Sequence, residues 1–263
     1  MLLLLLGLSL VSADCPHDGI SAVASDRGTW PRPLNLKTVV VLDFPLLLDR
    51  ATPRLPGIRI VAGGRLVFSP LAPLASLTTD YVQIEAGGSL EIGSQDCPFL
   101  GQAQILLTGK RGSYSTDNGE KFISVEKGGR LEVHGEERVS WTRLASSVPR
   151  SPRGRQGRRA TFSLQGDVGA WRAGDKLVIA SSHGVNHVDE VEVDQCSAST
   201  CTVSGRLRFD HFGESDSGVE MEAEVGLLTR NVVIRGEMET SCYPPNPCQE
   251  FNYDTFGGHI IAR

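Results

Sequence analysis

The sequence predicts an all-β fold, solenoid-like, in which stacked repeats form a right-handed β-helix or a related β-roll. Three observations carry this expectation. First, three segments repeat one pattern around a glycine pair: Ile58 to Phe68, Val82 to Ile92 and Ile123 to Val133. Second, apolar and polar residues alternate on both sides of each pair, the period of a strand with one buried face. Third, no long stretch after the first residues keeps a helical period, and aromatics make up only 6% of the chain. Units that cannot bury a face alone must stack on one another.

The chain opens with an apolar run from Leu2 to Val11. It is too short to span a bilayer, which takes about 20 residues. Val11-Ser12-Ala13 supplies the small residues that a signal peptidase reads, so residues 1–13 are expected to be a signal peptide and the chain to be secreted. No later segment approaches membrane length, and no transmembrane segment is expected. Six cysteines follow: Cys15, Cys97, Cys196, Cys201, Cys242 and Cys248. An even count in an oxidising compartment favours disulfides over a metal. Proximity pairs Cys196 with Cys201 and Cys242 with Cys248, leaving Cys15 to Cys97. The net charge of −5 gives no general reason to expect nucleic acid as a partner.

Strands are next expected around Thr38–Asp43 and within the three repeats. Their shared form is apolar-x-apolar-x-x-Gly-Gly-x-Leu-x-apolar. The pairs Gly63-Gly64, Gly87-Gly88 and Gly128-Gly129 permit the positive φ of a sharp corner, and Gly257-Gly258 is read the same way. Gly63 and Gly87 lie 24 residues apart, about one solenoid coil; Gly87 and Gly128 lie 41 apart, so a longer excursion is expected near Lys110–Gly119. The leucine after each pair should form a ladder between coils. Gln104–Thr108 supplies a further strand.

Trp30, the Gly-Gly-x-Leu repeats, Cys97-Pro98-Phe99, Leu131 to Gly135 and Ser140-Trp141-Thr142 together resemble the eight-glycine module, the G8 domain. That family includes fibrocystin-type receptors and hyaluronan-binding and hyaluronan-degrading surface proteins. Trp171 to Ser181, Ala223 to Asn231 and Cys242 through Ile260 are similar to the same group. The resemblance implies a G8 domain over 30–148, an Arg-rich linker at 149–160 and a second β-domain over 161–263 that opens a β-helix. Only 26 residues separate Leu144 from Trp171, where the hyaluronan-degrading relatives carry a further module; the fibrocystin-type spacing lacks it too. The family continues into a longer β-helix, so the chain reads as a fragment, a short isoform or an incomplete gene model.

Candidate site residues follow from charge and chemistry. Arg150, Arg153, Arg155, Arg158 and Arg159 crowd into ten residues. Guanidinium groups pair with carboxylates, so this stretch is a candidate strip for an acidic polysaccharide. Cleavage by a proprotein convertase at Arg158 and a solvated linker are its other readings. Polysaccharide hydrolysis needs paired carboxylates; Asp254 and His259, flanking Gly257-Gly258, are the catalytic candidates, beside Asp175, Asp189 and Glu190. Asp175 reads as a turn former and Trp171 as a core anchor. His183 and His187 lie near Asp189 and Glu190 on a loop, where their spacing gives no shared face, so a solvated loop is expected and no metal. His134 reads as structural. No cofactor is expected, and calcium is left open. The expected function is a secreted module that binds hyaluronan, another acidic glycosaminoglycan or cell-surface proteins without turnover. The alternatives are the N-terminal part of a hyaluronidase and a fibrocystin-like receptor fragment.

Overall fold

The computed structural model describes residues 15–26, 38–109, 118–152, 159–237 and 257–263. Their regular structure is all strand. The first coils are β1 (Val40–Leu42) and β2 (Pro45–Leu48), then β3 (Ile58–Ile60), β4 (Arg65–Phe68) and β5 (Ala75–Thr79), then β6 (Val82–Ile84), β7 (Ser89–Ile92) and β8 (Ala103–Leu107). The next coil begins with β9 (Phe122–Val125) and β10 (Arg130–Val133). Residues 137–230 then form a separate compact unit. After it, β19 (Val232–Gly236) and β20 (His259–Ala262) rejoin the coils.

Three parallel sheets result, in the orders β1-β3-β6-β9-β20, β10-β7-β4-β2 and β19-β8-β5. The second and third coils place a strand in each of the three in turn. The predicted leucine ladder exists: Leu46, Leu66, Leu90 and Leu131 are neighbours in register on the second sheet. The first three are at most 1% exposed and belong to one continuous core with Ile60, Ile84, Leu77 and Ile105. Alternation in the sequence therefore became one apolar face turned into the coil.

The two glycines of each pair have different work. The first of each pair, Gly63, Gly87 and Gly128, has φ of 86°, 77° and 88°. Their backbones form a second ladder, Gly63 N–H donating to Gly87 O at 3.2 Å and Gly87 N–H to Gly128 O at 2.9 Å. The second glycine sits against the coil before it: a Cβ on Gly64, Gly88 or Gly129 would lie 2.1, 2.3 or 2.7 Å from the carbonyl oxygen of Leu42, Ile60 or Ile84. Gly257-Gly258 departs from the expectation. Neither residue has a positive φ, and the pair leads into β20 of the first sheet, whereas the other three pairs join the first sheet to the second. The 41-residue spacing is the link between β8 and β9, most of it (110–117) outside the described residues.

The unit of residues 137–230 contains β11 (Trp141–Arg143), β12 (Arg159–Ser163), β13 (Lys176–Ile179), β14 (Asp189–Ser197), β15 (Thr200–Ser204), the small hairpin β16 (Ser215–Asp216) and β17 (Val219–Glu220), and β18 (Glu224–Leu227). Six strands form an antiparallel sheet, β11-β18-β13-β14-β15-β12. A bridge from Leu144 to Leu164 joins its two outer strands and curls it on itself. Trp171 anchors the core at 1% exposure and donates its indole N–H to Val139 O at 2.8 Å.

These units divide the chain at 136/137 and 230/231, not at the expected 148 and 161. The reason is pairing over long separations: β11 bonds to β18, and β19 returns to β8. Asn231 marks the return. Its side-chain oxygen accepts from Glu136 N–H at 3.0 Å, and its amide donates to Phe99 O and Gly101 O at 2.6 and 3.0 Å. One side chain thus ties the exit point, the return point and the coil beneath.

Two disulfides follow the expected pairing. Cys15–Cys97 has its Cα atoms 5.4 Å apart, and Cys196–Cys201 staples the β14–β15 hairpin with Cα atoms 4.2 Å apart. Cys242 and Cys248 lie outside the described residues.

Candidate functional site

On β4, β7 and β10 the leucines point inward, so their neighbours in sequence point outward. Parallel register aligns these outward positions. Arg65 lies beside Ser89, which lies beside Arg130, and Glu91 lies beside Glu132. Arg65 forks onto Glu91, with Nε donating to Oε1 at 3.1 Å and Nη2 to Oε2 at 2.7 Å. Ser89 Oγ donates to the same carboxylate at 2.6 Å. On β10 and just past it, Arg130 Nη2 donates to Glu132 Oε1 at 3.0 Å, and His134 Nε2 meets Glu132 Oε2 at 2.8 Å.

A loop rises beside this row. Gly93 starts it at φ 73°, where a Cβ would lie 2.5 Å from both His134 O and Phe99 N. The Cys15–Cys97 disulfide holds its far side and brings Pro16 within reach, whose carbonyl accepts from Arg65 Nη2 at 3.3 Å. Together they border an open cleft of about 490 Å³, lined by Arg65, Glu91, Arg130, Glu132 and His134 and by the loop Gly93–Asp96. That volume lies within the usual range for small-ligand clefts, about 300–1,000 Å³.

The two carboxylates are both held ionised. For Glu91, burial pushes the carboxyl up, but hydrogen bonds from Arg65 and Ser89, with the charges of Arg65 and Arg130, outweigh it and bring it below its ordinary value. For Glu132, the hydrogen bond from His134 and then that from Arg130 lower it. A pair held this way orients cations and accepts hydroxyl protons, but neither member arrives protonated near neutral pH.

The residues expected from sequence lie elsewhere and do not converge. Arg150 is exposed and donates its backbone N–H to Asp210 at 2.8 Å; Arg159 pairs with Asp194 at 2.7 Å. Arg153, Arg155 and Arg158 lie outside the described residues, as does Asp254. His259 sits on β20 with its ring nitrogen 3.3 Å from Asn118 O. Asp175 accepts from Arg172 N–H at 2.6 Å and pairs with Arg138, a turn-holding role. The loop expected to be solvated is partly packed: His187 stacks on Phe209 at 4.3 Å, His183 meets Phe212 edge-on, and Asp189 is 1% exposed. Glu190 is exposed. Among the described residues no cluster of three or more metal-ligating side chains occurs. His134, read as structural, instead lines the cleft. The missed signal was in the repeats themselves, where the x positions of Gly-Gly-x-Leu-x carry Arg65, Ser89, Glu91, Arg130 and Glu132.

The family described as the G8 domain matches residues 27–145. Among curated relatives, the zebrafish (Danio rerio) cell surface hyaluronidase is 26% identical over 436 aligned residues, 99% of this chain and 31% of that protein. The mouse (Mus musculus) cell migration-inducing and hyaluronan-binding protein is 49% identical over 105 residues, 38% of this chain and 8% of that protein. Human fibrocystin-L is 32% identical over 250 residues, 90% of this chain and 6% of that protein. The chain therefore spans less than a third of each of these relatives. Among the described residues no helix is long and apolar enough to cross a membrane.

Proposed function

From the match of residues 27–145 to the G8 domain family, we propose that the chain is a secreted or cell-surface module that binds hyaluronan or a similarly acidic polysaccharide on the outer face of its second sheet, without turnover of its own. The observation that carries this is the cleft in which Arg65, Arg130 and His134 line one surface and both carboxylates are already ionised. Arginines fixed by carboxylates are aligned in advance for an incoming uronate, and hydroxyls find acceptors at Glu91 and Glu132. Glycoside hydrolysis needs one carboxyl of a pair to start protonated, which this pair does not supply. The names of the relatives, hyaluronan-binding protein and cell surface hyaluronidase, support the ligand class. Two disulfides support an oxidising compartment.

A second reading is favoured by the alignment across 99% of this chain with the zebrafish cell surface hyaluronidase. There the chain is the N-terminal part of a depolymerising protein and the cleft holds polymer for chemistry supplied by other residues. The alignment with fibrocystin-L keeps a receptor ectodomain in view.

Labelled high-mass hyaluronan incubated with the chain separates these readings. The expected result is retention that weakens as salt shortens the screening length from about 10 Å at 0.1 M to about 3 Å at 1 M, with no loss of polymer size. Size loss overturns binding without turnover, and neither retention nor size loss favours the receptor reading. Glu132 is the carboxylate that competes with the ligand for Arg130 and His134. Glu132→Gln is expected to strengthen retention about threefold, within the range of exposed ion pairs; unchanged or weaker retention would argue that the polymer does not touch this row.

A further inference from the structure

A second cleft lies wholly within residues 137–230. It measures about 430 Å³ and is lined by Asn186, Val188, Glu190 and Arg208. Arg208 is unusual among exposed arginines, because its side chain is 63% exposed yet fixed on three sides. Its Nε donates to Asp189 Oδ1 at 3.0 Å, its Nη2 donates to Val188 O at 2.5 Å, and its guanidinium lies 5.3 Å from the centre of the Phe209 ring. Phe209 is itself backed by His187. Among the described residues Nη1 has no protein acceptor, and Arg208 lines the cleft.

A buried carboxylate holds this arginine from beneath. Asp189 Oδ2 accepts from the backbone N–H groups of Arg208 and Phe209 at 2.9 and 3.1 Å, and meets His211 Nε2 at 3.0 Å. The other nitrogen of His211, Nδ1, faces Ala180 O at 3.1 Å. Both ring nitrogens of His211 are therefore engaged, and the ring is fixed beneath the cleft. One buried carboxylate thus holds Arg208 from beneath, at the cleft floor. Glu190 and Asn186 stand on the rim as hydroxyl acceptors, and the Asn186 amide also donates.

We propose that this cleft binds a carboxylated sugar residue, its carboxylate on Arg208 and its hydroxyls on Glu190 and Asn186. The fixed guanidinium loses little freedom on binding and pairs with an anion, while Glu190 disfavours small anions that bring no hydroxyls. The site stands on its own residues and does not require the sheet cleft to bind anything.

The test is a titration of the isotope-labelled full chain with sodium glucuronate and with methyl glucoside, following the amide signals of Asn186–Glu190 and Arg208–Phe209. Saturable shifts with glucuronate, at least tenfold weaker with methyl glucoside, are expected. Arg208→Gln should weaken glucuronate at least tenfold. Since that change also touches Asp189, Glu190→Gln serves as the exposed control and should weaken glucuronate binding about threefold. Arg130→Ser combined with His134→Ala should leave these shifts in place. Equal responses to both sugars, shifts confined to the amides around Glu91–His134, or wild-type binding by Glu190→Gln would each overturn the proposal.

Discussion

Asp189→Asn is expected to destabilise the antiparallel unit by about 3–5 kcal/mol, the usual cost of breaking a buried charge network by removing one partner. Asp189 is 1% exposed and accepts from Arg208 Nε, from two backbone N–H groups and from His211, which is 0% exposed at its side chain. Asparagine has one acceptor oxygen in place of two. It turns an N–H₂ toward either His211 or Arg208, so a donor that Asp189 satisfied faces another donor. The wild-type network has a pH signature of its own. Burial raises the Asp189 carboxyl, but the hydrogen bonds from His211 and Arg208 outweigh it and hold the group below its ordinary 3.8. A lowered carboxylate contributes stability that is present above its unfolded value and is lost as pH falls through the folded one. Wild type should therefore lose stability below pH 3.8 more steeply than Asp189→Asn, as urea midpoints followed against pH would show. Parallel acid profiles would mean that Asp189 does not stabilise the unit through its charge.

Gly88→Ala should cost the solenoid about 3 kcal/mol, at the upper end of overpacking costs. The new Cβ lies 2.3 Å from the Ile60 carbonyl oxygen and 2.8 Å from its carbon. Both are backbone of the neighbouring coil, so no side chain can swing aside, and relief requires prising two parallel strands apart. Gly257→Ala is the matched control: among the described residues nothing lies within 4 Å of its Cβ, and its φ is not positive, so its effect should be near zero. For a unit of this size the difference corresponds to a melting shift of about 10 °C. Equal melting temperatures for the two variants would contradict the division of labour within the glycine pairs.

Much of the solenoid was legible because its information is local and repeated. Leu66, Leu90 and Leu131 each follow a glycine pair by the same two steps, and stacking equal positions is the natural outcome of such a repeat. The glycines themselves were only half read. Positive φ explains Gly63, Gly87 and Gly128, but Gly64, Gly88 and Gly129 answer to a carbonyl of the previous coil, about 22–45 residues earlier. What local pattern could not give is the insertion. β11 pairs with β18, and β19 returns to β8 more than a hundred residues after it; alternation in each strand is the same whether its partner is parallel or antiparallel. Asn231, which holds that return, has no signature beyond being an asparagine.

The candidate site shows the same limit from the other side. Glu91, Arg130 and Glu132 lie inside the repeats and His134 just beyond the third, at positions where alternation marks no more than an outward face. A charged side chain on an outer face is ordinary until register places several in one row. Register is a property of pairing, and only the stacked coils bring Arg65 onto Glu91 and Arg130 and His134 onto Glu132. The arginine-rich stretch drew the eye by composition, yet its described members are engaged singly, Arg150 through its backbone and Arg159 with Asp194.

The outer face of the second sheet is the surface proposed to meet an acidic polysaccharide. The most direct measurement is the equilibrium affinity of the full chain for a hyaluronan decasaccharide at low salt, wild type against the double variant Arg130→Ser/His134→Ala. Both side chains are at least a third exposed, so the fold should survive and the melting temperature should not move. Binding is expected to weaken at least tenfold, about 1.4 kcal/mol; an unchanged affinity in a variant that melts like wild type would contradict the assignment of this face.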